Sequence, residues 1–351
     1  MADYTTIDDP SAHFQTTLYT GNGSDDHAIT NGGNSDLQPD FLWFKERANT
    51  GAHSLHNSTN SVSLFLESNT TGTEAYDTTT LKSIQSDGFT LGTESNHNQS
   101  STTYVAWQWK ANGGTTSSNT DGSLTSTVQA NTDAGFSIVT YTGNGGNTTI
   151  GHGLGVAPKV VLVRARSRIS SWVMFHKDGS TTDDDYYVLQ STAAKGSQAG
   201  LWNNQYPSST VFGASSDLWL NANGSTYVAY CFAEKQGYSK FGSYVGNGNA
   251  NGAFVYTGFK PAFVMIKANS AYKNWYIWDN KRSPINPVDE GLVPNLSGAE
   301  VTGYDPIDIL SNGFKLRDAD ATWNGSGTTT IYMAFAENPF TTSTGIPTTA
   351  R

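Results

Sequence analysis

The candidate residues for acid–base catalysis are three glutamates, Glu67, Glu234 and Glu337. Cleavage of a glycosidic bond needs two carboxyl groups that face each other across a cleft, roughly 5–10 Å apart. A single sequence does not show whether two of these glutamates face each other in a cleft. Glu234 and Glu337 each close an equivalent strand of a repeat described below, and this position explains them without catalysis. We therefore predict no catalytic residue.

The other signatures of catalysis, metal binding and cofactor binding are missing or incomplete. The chain has no Gly-x-Ser-x-Gly and no His-Glu-x-x-His motif. Asp178 with residues 183–185 could offer oxygens to Ca²⁺, but these residues and 318–320 lack EF-hand spacing. His176 ends a core-like strand and is expected to be a hydrogen-bonded structural histidine. We expect no metal, no cofactor and no enzymatic activity.

Two features argue against binding of phosphate groups. Gly151-His152-Gly153-Leu154-Gly155 looks like a phosphate loop, but it follows a hairpin signal and does not open a helix. The net charge is −10, from 20 basic and 30 acidic residues, which disfavours nucleic acid as a partner. The densest basic group, Arg164, Arg166 and Arg168, alternates along a strand-like run, and we interpret it as a solvated face.

Aromatic residues in polar stretches are the candidates for contact with a glycan, because an exposed ring can stack on the face of a sugar. These weak candidates are Trp202, Tyr206, Trp219 and Trp323. The alternative is that they form local clusters under loops. A second group of tryptophans occupies repeat positions and is expected in the core: Trp172, Trp275 and Trp278.

The composition is typical of a folded protein with an uncharged polar surface. Only 14% of residues are charged and 12% are aromatic. The one cysteine, Cys231, lies in an apolar run and is predicted to be a packed core thiol. No stretch reaches the roughly 20 apolar residues of a membrane span, and the amino terminus carries no secretion signal. We expect a soluble protein made in a cytoplasm, with no membrane partner.

A repeat organises the elements that would position these residues. Three segments run into the same Gly-Asn-Gly turn, at Gly21-Asn22-Gly23, Gly143-Asn144-Gly145 and Gly246-Asn247-Gly248. Asn and Gly tolerate the positive φ angles of tight hairpins. A proline then precedes a run that is apolar at every position, beginning at Pro39, Pro158 and Pro261. Such runs are buried on both faces, so each predicts the central strand of a domain.

Further landmarks follow in the same order. Trp172 matches Trp275, and the degenerate Ala52-His53 stands in the first copy. A closing strand follows at Tyr104, Tyr227 and Tyr332, which lie 83, 84 and 86 positions after the first glycine of their copies. Short strands between Gly, Asn and Ser turns, with no helical period, favour a β-sandwich or jelly roll.

The sequence thus predicts an all-β protein of three tandem β-sandwich or jelly-roll-like domains. The predicted boundaries are an N-terminal arm at 1–12, domains at 13–110, 134–236 and 237–340, a flexible linker at 111–133 and a C-terminal arm at 341–351. The linker is rich in Gly, Ser, Thr and Asn. Polar arms can order on a partner, so we expect them to bind neighbouring proteins.

The landmarks also resemble a known family. Tyr141-Thr142-Gly143-Asn144-Gly145, Gly151-His152-Gly153-Leu154-Gly155-Val156-Ala157-Pro158 and Tyr227-Val228-Ala229-Tyr230 are similar to a repeated domain of unassigned function. That domain is common in tail and other virion proteins of marine and freshwater bacteriophages, cyanophages especially. The first copy departs from the pattern, because it has Leu37-Gln38 before its proline.

The resemblance implies a bacteriophage virion structural protein, foremost a tail fibre or tail-associated protein that helps attachment to the host. The alternatives are a head or neck decoration or fibre protein, and a glycan-binding or glycan-degrading tail protein. The implied partners are other virion proteins, held through the terminal arms, and a host surface glycan. The implied location is the exterior of the particle, after synthesis in the host cytoplasm. A homo-oligomer is expected, with a trimer as the form typical of fibres.

Overall fold

Each third of the chain folds as one large antiparallel sheet with a smaller sheet packed beside it. The computed structural model describes residues 4–270 and 272–348. Within them the chain is all-β, with its sheets grouped into three sandwich-like bodies. The prediction of an all-β protein of sandwich type is confirmed.

The first body combines a six-stranded sheet in the order β1-β9-β3-β4-β5-β6 with a three-stranded sheet in the order β2-β8-β7. Its strands are β1 (Phe14–Thr20), β2 (His27–Ile29), β3 (Phe41–Glu46), β4 (Ser54–Asn57), β5 (Leu64–Glu67), β6 (Ala75–Tyr76), β7 (Leu81–Gln85), β8 (Gly88–Leu91) and β9 (Thr103–Trp109). A 3₁₀ turn, Pro10–Ala12, precedes β1, and the short helix α1, Ser95–Asn98, precedes β9.

The second body has an eight-stranded sheet in the order β10-β11-β12-β19-β14-β15-β16-β17 and a two-stranded sheet of β13 and β18. Its strands are β10 (Ser117–Asn119), β11 (Ser126–Asn131), β12 (Phe136–Thr142), β13 (Thr148–Gly151), β14 (Val160–Ala165), β15 (Val173–His176), β16 (Asp185–Val188), β17 (Gly196–Ser197), β18 (Val211–Ala214) and β19 (Thr226–Phe232). A 3₁₀ turn, Lys177–Gly179, follows β15.

The third body has a four-stranded sheet in the order β20-β26-β22-β23 and a three-stranded sheet in the order β21-β25-β24. Its strands are β20 (Ser239–Val245), β21 (Phe254–Tyr256), β22 (Phe259–Ala268), β23 (Trp275–Asp279), β24 (Ile307–Leu310), β25 (Gly313–Leu316) and β26 (Thr329–Pro339). Among the described residues, α1 is the one α-helix, and it is far too short and polar to cross a bilayer.

The same four strands form the centre of each large sheet. An opening strand pairs with the closing strand, which pairs with the apolar strand, which pairs with its hairpin partner. The apolar strands β3, β14 and β22 therefore occupy one equivalent position, as the sequence predicts. On β19, Tyr227, Ala229 and Cys231 face the core of the second body, whereas Val228 and Tyr230 face a separate core. The closing strand is thus covered on both faces.

The ladder corrects the alignment of the third closing strand by two residues. Tyr19 pairs with Tyr104 and Tyr141 pairs with Tyr227, but Tyr244 pairs with Thr330. Thr330, and not Tyr332, is therefore the counterpart of the first two tyrosines. The spacing from the first glycine becomes 84 in the third copy (330 − 246), which matches the other two more closely.

One hydrophobic core is shared by all three bodies. Besides a core of its own, each body turns the inner face of its large sheet toward the other two. Rings from all three meet there: Phe14, Trp109, Phe232, Phe263 and Phe335. The cavity between these rings has a volume of only about 20 Å³. The inner faces of the three large sheets therefore pack against one another almost without a void.

Equivalent main-chain hydrogen bonds close the three bodies into a ring. Each body bonds to the next through the loop after β5, β16 or β23, and the third bonds back to the first. Three of these bonds run from Glu74 N to Arg166 O (2.8 Å), Lys195 N to Asn269 O (3.3 Å) and Glu300 N to Arg47 O (2.8 Å). A second set runs from Ser170 N to Thr71 O, Lys273 N to Thr192 O and Gly51 N to Ser297 O. Head-to-tail contacts that close after three steps define an approximate three-fold arrangement.

Nine residues of the segment predicted as a flexible linker, 111–133, lie in strands of the second body's large sheet. The segment contains β10 and β11, and β11 pairs antiparallel with β12. Its start is held by the buried carboxylate of Asp40, which accepts the main-chain N–H groups of Ala111, Gly113 and Gly114.

The described parts of the predicted arms lie against the bodies. Ile7 is 4% exposed and belongs to the shared core, and Tyr4 Oη donates to Gly258 O of the third body at 2.5 Å. Asp8 accepts a hydrogen bond from Ser343 Oγ at 2.6 Å, so the two arms also contact each other. The remainder of the predicted arms, residues 1–3 and 349–351, lies outside the described residues.

Candidate functional site

A groove with a volume of about 560 Å³ lies between the first and third bodies. Its first wall is formed by residues 14–18 of β1 and by the loop at 32–34. Its second wall is formed by Asn280, Lys281 and residues 336–338. Two adjoining depressions, of about 420 and 700 Å³, share Lys260 and Glu337 with each other, and Glu337 also lines the groove.

A free edge of the six-stranded sheet runs along this groove. β1 is the terminal strand of its sheet and pairs only with β9. The bonds of Lys110 N to His13 O and of Gly21 N to Thr102 O show that the odd-numbered residues of β1 bond to β9. In an antiparallel ladder the alternate residues then direct their N–H and C=O groups to the other side. Phe14, Thr16 and Leu18 therefore present main-chain donors and acceptors to the groove.

Side chains hold the walls in place while leaving polar atoms unpaired. Gln15 Nε2 donates to Ser11 O at 2.9 Å and to Ser35 O at 2.8 Å, and Gln15 Oε1 accepts from Gly33 N at 2.8 Å. These bonds fix the loop at 32–34 against β1. Thr16 is 8% exposed, and its Oγ1 has no hydrogen-bond partner among the described residues. Glu337 forms an ion pair with Lys260, with 2.6 Å between Oε2 and Nζ.

The family of the chain is shown by a match that spans all three bodies. A family model described as "Domain of unknown function (DUF7483)" matches residues 9–339. The chain belongs to this family. No curated protein matches the DUF7483 chain. Because the match runs from the turn before β1 to the end of β26, the DUF7483 unit comprises the three bodies together.

In the structure of this DUF7483 chain, two of the four aromatic residues predicted as weak glycan contacts are buried and two are at least partly exposed. Trp202 is 1% exposed and Trp323 is 3% exposed, so neither ring is available to a glycan. Trp202 donates from Nε1 to Asp185 O at 3.1 Å. Trp219 is half-buried against Tyr186, and Tyr206 is exposed but has Lys177 Nζ 3.2 Å from its ring centroid. The four rings form no common surface, and none of them lines the groove.

The candidate carboxylates are engaged with separate partners. Glu67 accepts from Thr70 Oγ1 at 3.2 Å, and Glu234 pairs with Lys159 at 3.0 Å. Glu234 and Glu337 each lie two residues beyond the equivalent Phe232 and Phe335, so their repeat position is confirmed. The described residues contain no group of three or more His, Cys, Asp or Glu side chains arranged to hold a metal ion.

The predicted structural roles of His176 and Cys231 are confirmed. His176 is fully buried, with Nε2 3.2 Å from Tyr332 O, and burial lowers its pKa to about 4. Cys231 is fully buried in the second body, and burial raises the pKa of its thiol. Trp172, Trp275 and Trp278 are at most 1% exposed, as predicted for core residues.

The interpretation of Arg164, Arg166 and Arg168 as a solvated face is wrong for the first two. Arg164 is fully buried and donates to Ser170 O and to Thr70 O of the first body. Arg166 forms an ion pair with Glu74 of the first body at 2.7 Å, whereas Arg168 is half-buried and makes no contact of this kind with another body among the described residues. The alternation along β14 is real, but the neighbouring body covers the face that a lone domain would expose to water.

A buried cation at the end of each apolar strand is the feature that sequence reasoning missed. The ladder makes Lys45, Arg164 and Lys267 equivalent, since they pair with Val105, Val228 and Ile331. All three are at most 1% exposed. Burial lowers the pKa of Lys45 and of Lys267 to about 8, and that of Arg164 to about 10. The signal was a Lys or Arg at the same place in each of the three apolar runs.

Among the described residues, the densest ion network lies at the interface between the third and first bodies. Arg282 is buried and contacts Asp279 at 2.6 Å and Glu300 at 2.6 Å. Glu300 in turn pairs with Arg47 of the first body at 2.8 Å. Asp279 accepts from Trp107 Nε1 of the first body at 3.0 Å. These contacts fix the two bodies that form the groove relative to each other.

Proposed function

We propose that this DUF7483 chain is a structural protein of a bacteriophage virion, foremost a tail fibre or tail-associated protein that contributes to attachment. The observation that carries the proposal is the closed ring of three bodies around one shared core. Such a unit buries the inner face of every large sheet against the other bodies. Packing of this kind, with a surface of uncharged polar residues, suits a protein that works outside a cell.

The proposed partners are neighbouring virion proteins and a host surface glycan. The parts of the arms outside the described residues remain candidates for docking, and the homotrimer expected from the sequence stays a prediction. Sedimentation equilibrium distinguishes the 37.7 kDa monomer from any oligomer. We propose no enzymatic activity for the chain.

Locating the chain in purified particles tests the structural role. We expect peptides of this protein in the proteome of gradient-purified virions, and antibody label at the tail in electron micrographs. Absence from purified virions contradicts the structural role altogether. Label on the capsid contradicts the tail assignment and favours the head or neck alternative.

A reducing-end assay tests the competing proposal of a glycan-degrading tail protein. The purified chain is incubated with polysaccharide from the host surface, with Glu337→Gln and Glu234→Gln as matched variants. We expect no new reducing ends. Ends that form with the natural chain and disappear with one of these variants would overturn the non-enzymatic proposal.

A further inference from the structure

We propose that the groove is an acceptor site for a β-strand. An extended segment of roughly six residues from a partner chain adds antiparallel to the free edge of β1 and directs a carboxylate toward Lys281. The proposal does not depend on the virion assignment, because it follows from how the three equivalent edges of the ring are covered.

The second body shows the equivalent edge when it is filled. The counterpart of β1 there is β12, in which Phe136, Ile138 and Thr140 direct their main-chain groups away from β19. The chain's own β11 pairs antiparallel along this edge, with Gln129 opposite Ile138. This position of the fold therefore accommodates an added strand, and β11 shows its direction and length.

The third body shows the equivalent edge when a side chain closes it. Its opening strand is β20, where Phe241 is the counterpart of Ile138 and Thr16. The N–H of Phe241 donates to Oε1 of Glu234, a residue of the second body, at 2.8 Å. In the third body, a glutamate of the neighbouring body thus accepts the hydrogen bond of an edge N–H group. At the equivalent edge of the second body, β11 forms these main-chain hydrogen bonds instead.

Among the described residues, the equivalent edge of the first body, β1, is paired neither with an added strand nor with a glutamate. Glu234 pairs with Lys159 and also accepts from the edge of β20, whereas its equivalent, Glu337 of the third body, lines the groove and pairs with Lys260 but, among the described residues, accepts no hydrogen bond from β1. No strand of the described residues pairs with the outer edge of β1. Thr16, the counterpart of Phe241, is only 8% exposed, and its Oγ1 lacks a partner among the described residues. Polar groups that are this buried and unpaired are costly, so an occupant that supplies partners is favoured.

The charges of the walls specify the occupant. Lys281 is exposed at the rim, and among the described residues no carboxylate lies within ion-pair distance of its Nζ. Lys260 is already paired with Glu337. The occupant is therefore an extended peptide segment that offers main-chain hydrogen bonds to Phe14, Thr16 and Leu18 and one acidic side chain to Lys281.

A peptide with the sequence of residues 124–132, which contains β11, is the probe, because β11 already covers the equivalent edge. A second version carries Glu in place of Gln129, because Gln129 Nε2 already donates to Ser58 Oγ and Thr59 Oγ1, at the positions equivalent to Asn280 and Lys281. We expect both peptides to bind the full chain, and Lys281→Ala to weaken only the acidic version, by about two- to fivefold. N-methylation at the residues corresponding to Thr127 and Gln129, which face the edge, should abolish binding. N-methylation at Val128, which faces away, should leave binding unchanged.

Filling the groove provides the matched protein variants. A side chain at Gly32 meets nothing within 4 Å, and Gly32 lines the groove; Gly298 is equally open but lies outside it. Gly32→Trp should lose peptide binding at least tenfold with an unchanged melting temperature, and Gly298→Trp should bind normally. Equal binding by both variants, or equal effects of both N-methyl placements, contradicts strand addition. Concentration-dependent dimerisation that Gly32→Trp abolishes would instead identify a second copy of the chain as the occupant and overturn the proposed partner.

Discussion

At the scale of single residues, one buried asparagine stabilises the Gly-Asn-Gly turn of each body. Asn98, Asn221 and Asn324 are fully buried, and the Oδ1 of each accepts the main-chain N–H of the Asn in the Gly-Asn-Gly turn, at 2.8–3.0 Å. Their Nδ2 groups donate to main-chain carbonyls of the same loops. The Gly-Asn-Gly turn was readable from the sequence because Gly and Asn mark turns. The asparagine that holds it was not, since it lies about 77 positions away (98 − 22 is 76; 221 − 144 and 324 − 247 are 77).

Removing one of these amides should destabilise the protein. Asn221→Ala leaves the N–H of Asn144 and the carbonyl of Gly146 without partners, which costs on the order of 1–3 kcal/mol for a buried polar group. Urea denaturation measures the loss. The control is Asn223→Ala, two residues along the same loop at an exposed position, which should change the stability by less than about 0.5 kcal/mol. Equal effects of the two substitutions would contradict the role of Asn221.

The buried lysines make the stability depend on pH. Burial lowers the pKa of Lys267 from 10.5 to about 8 in the folded chain. Between these values the unfolded chain holds more protons, so the contribution of Lys267 to the free energy of unfolding rises with pH. Below pH 8 its full cost is present. Lys267→Met should therefore stabilise the chain at pH 7, on the order of 1–3 kcal/mol, and this advantage should shrink toward pH 10.

Urea denaturation at pH 7, 8, 9 and 9.5 tests this dependence for Lys267→Met. Lys240→Met, at a partly exposed position on β20, is the control and should show no such trend. An advantage of Lys267→Met that stays constant over the whole range would contradict the assignment of the effect to its charge.

At the scale of elements, the strands and their order could be predicted because the repeat shows them three times. Turn residues, prolines and fully apolar runs each mark a strand end or a buried strand. The sequence alignment of the third closing strand is wrong by two residues. Thr330 occupies the position of Tyr104 and Tyr227, whereas the sequence pattern indicates Tyr332, two residues further on, as their counterpart. A large residue has moved two positions along the strand, and Gly242 opposite Tyr332 makes room for it. A sequence pattern shows the tyrosine but not the glycine across the ladder.

Exchanging this pair tests the size compensation between β20 and β26. A Cβ at Gly242 would lie 2.7 Å from Tyr332 Oη, so Gly242→Val should destabilise the third body by about 1–3 kcal/mol. Tyr332→Ala alone should cost about 3–5 kcal/mol. The second body carries Val139 opposite Ala229 at this position, so the double variant reproduces a natural pair. We expect it to be at least about 1 kcal/mol more stable than the sum of the single changes, as measured in a double-mutant cycle. Strict additivity would contradict the compensation.

At the scale of the whole molecule, the shared core makes the packing of each body depend on the other two. The sequence indicated three domains, but an apolar inner face has the same pattern whether a helix, a loop or another body covers it. For that reason neither the ring nor the groove between its first and third bodies could be read from the sequence. Arg164 illustrates the point, because its polar partners Thr70 and Gly72 belong to a different repeat. The three bodies are tandem in the chain and a single unit in their packing.

Native-state hydrogen exchange distinguishes one cooperative unit from three tandem domains. Phe335 contacts rings of all three bodies, among them Trp109 and Phe232, whereas Phe314 belongs to the core of the third body alone. Both are at most 1% exposed, so Phe335→Ala and Phe314→Ala should each cost about 3–5 kcal/mol. If the core is shared, Phe335→Ala lowers the protection of the slowest amides in β9, β19 and β26 together. Phe314→Ala should act first on β25 and its neighbours, through local opening of the third body. Unchanged protection of β9 and β19 in the Phe335→Ala variant would show that the bodies unfold independently.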